Sequence, residues 1–187
     1  SVAQNIDKLC FSKDGVLKNE FDQLYTSLFD DSEKHLAIVR TLGKINKGMT
    51  RQQLIDKSKI SSGGDFSRKL EELTESGFVN EYVYYGNEKQ LTLYRLSDEY
   101  SKFYLKFIEH NKSSGSGSWQ RLHKSQSYIS WSGFSFETLC LKHIRQIKKA
   151  LGIEAVFSTN SSWFNESTQI DLLIDRDDNI INLCEMK

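Results

Sequence analysis

The sequence predicts an α+β chain of two domains, and three observations predict it. Apolar residues recur at helical spacing across residues 32–76 and are followed by two aromatic and β-branched runs, which is the order of three helices and a two-stranded ribbon. The stretch His110-Asn-Lys-Ser-Ser-Gly-Ser-Gly-Ser118 has the composition of a linker. Beyond it, one helical segment precedes three strand candidates. The expected division is a first domain over 1–110 with an N-terminal lead-in, a linker over 111–130 and a second domain over 131–187, each with its own core.

Asp31-Ser32-Glu33 opens the first helix, with Ser32 as its cap, Leu36, Val39 and Ile45 on one face and an end near Lys47-Gly48. Thr50 starts the second, where Gln53 stands at the position that closes a capping box. After the Ser61–Gly64 turn, Phe66, Leu70 and Leu73 mark a third helix from Asp65 to Ser76, stopped by Gly77. Phe78 to Tyr85 and Leu91 to Leu96 form a hairpin around Gly86-Asn87-Glu88. Tyr100, Phe103, Tyr104, Phe107 and Ile108 continue as a helix that packs back on this domain. In the second domain, Phe134 to Leu151 reads as a helix with Phe136, Leu139, Cys140, Ile144 and Ile147 on one face and Lys142, Arg145, Lys148 and Lys149 on a solvated one. Ile153 to Thr159 is a strand and Asn160 to Thr168 a polar turn. Ile170, Leu172 and Ile174 alternate along the next strand, Asp177-Asp178-Asn179 turns the chain, and Ile180 to Cys184 is a last, apolar strand.

Composition excludes several classes. Hydrophobic content of 38% with 12% aromatic is that of a folded chain. No apolar run reaches membrane-helix length and no signal-peptide pattern opens the sequence, so a soluble, cytoplasmic protein without a membrane partner is expected. Lys plus Arg equals Asp plus Glu at 25 each, which leaves no global attraction to polyanions. Cys10, Cys140 and Cys184 are scattered, without C-x-x-C pairing, and read as reduced thiols. No phosphate-binding G-x-x-x-x-G-K-[ST] loop occurs, so no ATP site is built here.

The chemistry-bearing pattern is Asp171, then Glu185-Met-Lys187. Hard carboxylate oxygens suit Mg²⁺, and a metal with a lysine can position and activate water against a phosphodiester. Glu185 and Lys187 lie two apart on a strand and share a face. Asp171 and Glu185 are the expected metal ligands, with Lys187 catalytic; the alternative is a hairpin with solvated charges.

Three short helices and a ribbon resemble a winged helix-turn-helix module. The resemblance implies a third helix at a DNA groove, with Arg68 and Lys69, and a wing over Tyr82 to Leu93 touching backbone, with Tyr84, Tyr85 and Lys89. Asp65, Glu71, Glu72 and Glu75 nearly cancel the two cations, so weak DNA binding, or use of the module for packing, is expected.

Helix, strand, strand, strand resembles the opening of the restriction-endonuclease-like, PD-(D/E)xK, α/β fold. That likeness implies a further ligand and catalytic acid, Glu137, on the helix. Over its whole length the chain resembles the C-terminal part of prokaryotic AAA-type ATPases with a winged helix and a DUF234 domain. The stretches that carry this are Leu9-Cys-Phe-Ser12, Phe21-Asp-Gln-Leu-Tyr-Thr-Ser-Leu-Phe29, Leu70-Glu-Glu-Leu-Thr-Glu-Ser-Gly-Phe78, Trp131-Ser-Gly-Phe-Ser-Phe-Glu-Thr-Leu-Cys-Leu-Lys-His-Ile144, Gln169-Ile-Asp-Leu-Leu-Ile-Asp175 and Cys184-Glu-Met-Lys187. The resemblance implies a parent that binds ATP in a separate N-terminal domain and serves DNA processing or defence. Its nuclease-like domain is expected to be truncated here and inactive as a fragment. Expected partners are DNA, the ATPase domain and a second copy. The alternative function is a non-catalytic adaptor or scaffold.

Overall fold

The structure is a computed structural model and describes residues 1–86, 91–111 and 117–187. It divides into two units, Ser1–Asn80 with Tyr94–Ser130, and Glu81–Leu93 with Trp131–Lys187. Among the described residues the architecture is α+β, with a mixed sheet of order β2-β1-β3-β4-β5.

The first unit begins with α1 (Val2–Ile6), a π-helical turn over Asp7–Phe11 and α2 (Glu20–Leu28). Then come α3 (Ser32–Leu42), α4 (Arg51–Ser58) and α5 (Gly64–Glu75). The ribbon is β1 (Val79–Tyr84) and β2 (Thr92–Leu96). Its turn residues 87–90, and with them Lys89, lie outside the described residues. α4 forms as its sequence dictates: the Thr50 hydroxyl accepts from the Gln53 amide at 3.2 Å, and Gln53 accepts from the Thr50 amide at 2.9 Å. α5 ends in a Schellman turn, with Gly77 at φ +77°, the Gly77 amide on Thr74 and the Phe78 amide on Leu73. α3 departs from expectation. It ends at Leu42, and its cap is Asp31 at φ +55° without a side-chain bond. Further on, Met49 pairs with Tyr94 through two backbone bonds, beside Gly48 at φ +86°.

The core of this unit gathers Leu36, Ile38, Val39 and Leu42 from α3 with Leu54, Phe66, Leu70, Leu73, Phe78 and Val79. The segment expected only as a lead-in supplies its largest members. Phe21 and Tyr25 of α2 are fully buried; Phe21 stacks on Tyr104 at 4.3 Å, and the Tyr25 hydroxyl bonds the Ser101 hydroxyl at 2.8 Å.

The linker expectation also needs correcting. Of residues 111–130, 112–116 lie outside the described residues. The rest is helical: α7 (Ser118–Leu122) is followed by the start of α8 (Gln126–Lys142). α6 (Glu99–Phe103) continues into a π-helical turn over Tyr104–Ile108. Trp119 is buried among Phe11, Phe103, Phe107 and Tyr128, so apolar burial, not the neighbouring serines and glycines, sets its state.

The second unit holds the rest of α8, α9 (Ile144–Ala150), β3 (Ser158–Phe164), β4 (Gln169–Arg176), β5 (Ile181–Cys184) and the ribbon tip. The predicted single helix over 134–151 is broken at His143, and its face is shifted. Phe136 and Leu139 are exposed, whereas Glu137, Thr138 and Leu141 are buried. Leu141, Ile144 and Ile147 pack with Ile153, Leu172 and Ile174. The strand predicted from Ile153 starts only at Ser158 and runs through the predicted polar turn. β3 lies between β1 and β4, pairing parallel with Val83–Tyr84 and antiparallel with β4. Its small serines, of which Ser161 and Ser162 are buried, follow no apolar alternation.

Candidate functional site

On the first unit the candidate surface is α5. Lys69 does not face solvent: it is buried, and its ammonium donates to the Asp30 carbonyl at 2.8 Å with Glu72 at 3.8 Å. A phosphate could reach it only if the side chain left the fold. Arg68 is exposed but holds Asp65 at 3.0 Å, and Lys34 holds the same carboxylate at 2.8 Å. These two cations pull the Asp65 carboxyl below its ordinary range. The face of α5 therefore presents ion pairs rather than free positive charge, with Glu71 and Glu75 adding negative charge.

The ribbon tip, expected as a wing, is bound into the second unit. Tyr84 donates its hydroxyl to the Phe164 carbonyl at 2.6 Å and meets the Phe164 ring edge-on at 5.1 Å. The Tyr85 amide bonds the Ser162 carbonyl at 3.0 Å.

Behind α5 lies a buried histidine that the sequence reading passed over. His35 is fully buried, stacks on Phe29 at 4.1 Å and has Nε2 at 2.7 Å from a Glu72 oxygen. Burial pushes its imidazole below the ordinary 6.5 and nearby Lys69 adds to this, although Glu72 pulls the other way. The folded chain thus binds this proton less readily than the unfolded one, so stability is present at neutral pH and falls as pH drops through 6.5 toward the lower folded value. Thermal melting between about pH 7.5 and about pH 5.5 should show this loss, and His35→Gln should flatten it. An unchanged slope in the variant would remove His35 as its source.

In the second unit, the β4–β5 register pairs Leu172 with Cys184, which sets Asp171 one step from Glu185 across the strands. By alternation both lie away from the Leu172 and Cys184 face. Asp171 Oδ1 accepts from Gln169 Nε2 at 2.8 Å and Oδ2 from the Met186 amide at 2.9 Å. Glu185 and Lys187 are exposed and pair with each other at 3.0 Å. Glu137 is buried, one turn before buried Leu141 on the same face of α8. Burial raises the Cys140 thiol above its ordinary value, and the charges of Asp171 and Glu137 raise it further.

The expected ligands thus sit in one neighbourhood without converging. Among the described residues no three His, Cys, Asp or Glu side chains are grouped so as to hold a metal ion. As placed, Asp171 accepts one hydrogen bond on each oxygen, and Glu185 pairs with its own lysine.

Residues 100–187 match the DUF234 family model. That family is described as archaea bacterial proteins of unknown function, and the matched stretch contains α7 to α9 and β3 to β5. No curated protein matches the chain, and no solved structure does. Within the DUF234 match fall all four residues of the acid and lysine pattern, Glu137, Asp171, Glu185 and Lys187. No helix among the described residues is long and apolar enough to cross a membrane.

Proposed function

We infer that the chain is a non-catalytic adaptor: a winged helix-turn-helix used for packing or protein docking, joined to a restriction-endonuclease-like sheet that serves as a scaffold. The observation that carries this reading is the state of Asp171, whose oxygens are both committed to protein donors while Glu185 and Lys187 neutralise each other. The ion-paired face of α5 supports it, since counterion release from phosphates needs cations that are free to make contact. That the chain is the C-terminal part of a longer protein with an ATPase domain belongs to the same proposal and rests on the resemblance of its sequence stretches. The sequence of the full gene product tests it.

A second reading, a metal-dependent nuclease of the longer protein, is favoured by the β4–β5 register, whose last pair, Leu172 with Cys184, precedes Glu185 and follows Asp171 directly. The two readings are separated by Mn²⁺ titration calorimetry and a plasmid-cleavage assay on this chain and on the full gene product. The adaptor predicts no saturable metal binding and no cutting by either. Metal-dependent cutting by either that disappears in Asp171→Ala and Glu185→Ala would overturn it.

A further inference from the structure

We propose that the outer strip of α8 and α9 in the second unit docks an acidic, amphipathic helix of a partner protein. The proposal rests on the adaptor reading and names one of its docking surfaces and the chemistry of its occupant. The inner side of these helices is used by the fold: Leu141, Ile144 and Ile147 pack with Ile153, Leu172 and Ile174. The outer side carries Phe136, Leu139, Lys142, His143, Gln146 and Lys149, all exposed. They follow one another in steps of three or four residues, which on a helix makes one continuous strip. At about 1.5 Å per residue it runs for roughly 20 Å. Its two ends differ. α8 carries no charged residue before Glu137, and Phe136 and Leu139 are both 45% exposed. From Thr138 to Ile153 there is no acid at all, and Lys142, Arg145, Lys148 and Lys149 fall within that stretch.

Charge complementarity and the apolar end together select the occupant. Cations in the last turn of a helix suit its carbonyl dipoles, and that alone would explain Lys142 and Lys149. It does not explain two bulky apolar side chains turned to water on the same strip, where the sequence pattern predicts burial. Arg145 holds Glu154 at 3.2 Å and Lys148 donates to the Val156 carbonyl at 3.2 Å, so these two are engaged by the fold. Lys149 forms no ion pair among the described residues, and Lys142 stands two turns before it. A nucleic-acid backbone would use the cations but not Leu139, whose aliphatic chain offers no surface for base stacking. A membrane would need apolar side chains along the whole strip, and from Lys142 to Lys149 it presents polar and charged ones. A helix with apolar residues at one end and carboxylates at the other fits both halves. Its apolar residues cover Phe136 and Leu139, and its acids meet Lys142 and Lys149. The uncharged stretch before Glu137 suits the centre of such an interface, where charged residues are depleted.

The test is fluorescence anisotropy with the full chain and a labelled peptide of Leu and Glu, with leucines at helical spacing in one half and glutamates in the other. Saturable binding is expected, and it should weaken as salt rises. Leu139→Ser and the double variant Lys142→Glu with Lys149→Glu should each weaken it about tenfold or more. All three positions are exposed, so circular dichroism should report unchanged folding. Lys57→Glu, at an exposed position of α4, should bind as the parent chain does. The double variant also has a positive readout: it should bind the matching peptide in which Lys replaces Glu. The competitors are a scrambled peptide of the same composition, a single-stranded oligonucleotide and phosphatidylserine vesicles. The proposal is overturned by peptide binding that is absent, that persists in Leu139→Ser or the double variant, or that any competitor matches. None of these results bears on metal binding or cutting, so the adaptor reading stands or falls separately.

Discussion

Phe21→Ala is expected to lower the unfolding free energy of the first unit by about 3–5 kcal/mol, the cost of emptying a large, fully buried aromatic site. Phe21 is fully buried in α2. Its ring lies parallel to Tyr104 at 4.3 Å, tilted to Tyr25 at 5.2 Å and under the Arg40 guanidinium at 5.2 Å. Its own helix through Tyr25 and two other elements, α3 through Arg40 and the turn after α6 through Tyr104, therefore close around one side chain. Collapse of the cavity would require all three to move, and Arg40 is further held by Asp22 at 2.8 Å and Glu109 at 2.7 Å. Denaturant unfolding followed by circular dichroism measures the change, with Val2→Ala, on an exposed residue, as the reference that should shift little. A loss below about 1 kcal/mol would mean that α2 is peripheral after all.

That expectation marks where the sequence was legible and where it was not. The capping box of Thr50 and Gln53 and the glycine stop at Gly77 are local chemistry. A few neighbouring residues decide them, so α4 and α5 could be read directly. The β4–β5 hairpin was readable for the same reason, since alternation and an Asp-Asp-Asn turn fix it. α2 was not read, although Phe21 and Tyr25 stand four apart, because their partners Tyr100 and Tyr104 come from far along the chain. β3 was misread because a strand bonded on both sides can carry serine and asparagine. Its pattern then carries no apolar signal. For the candidate site, the strand pairing ends at Leu172 with Cys184, next to Asp171 and Glu185, and Glu137 is buried on its helix. The capture of Asp171 by the Met186 amide depends on how the backbone leaves β5, which side-chain pattern does not encode.

Asp7→Ala should cost about 2–4 kcal/mol, more than an exposed helix cap and close to the loss of two charge-assisted hydrogen bonds. Asp7 is buried, and its carboxylate accepts from the Trp119 amide at 2.7 Å and the Gly117 amide at 3.2 Å. These amides open α7, whose free N–H groups have no partner within the helix. Alanine would leave one buried and one part-buried donor without this acceptor. It would also free α7 from the π-helical turn that carries Phe11, whose ring stacks with Trp119 at 6.3 Å. The loss should be local before it is global. Amide exchange at Trp119 should accelerate by orders of magnitude in the variant, while amides of α4 change little, since α4 shares no hydrogen bond with this contact. Asp7→Asn separates the charge from the geometry: it keeps one acceptor, so it should protect the Trp119 amide partially and cost roughly half as much. If both variants leave Trp119 as protected as in the parent chain, the packing of its ring against Phe11, Phe103 and Phe107 holds α7 without Asp7.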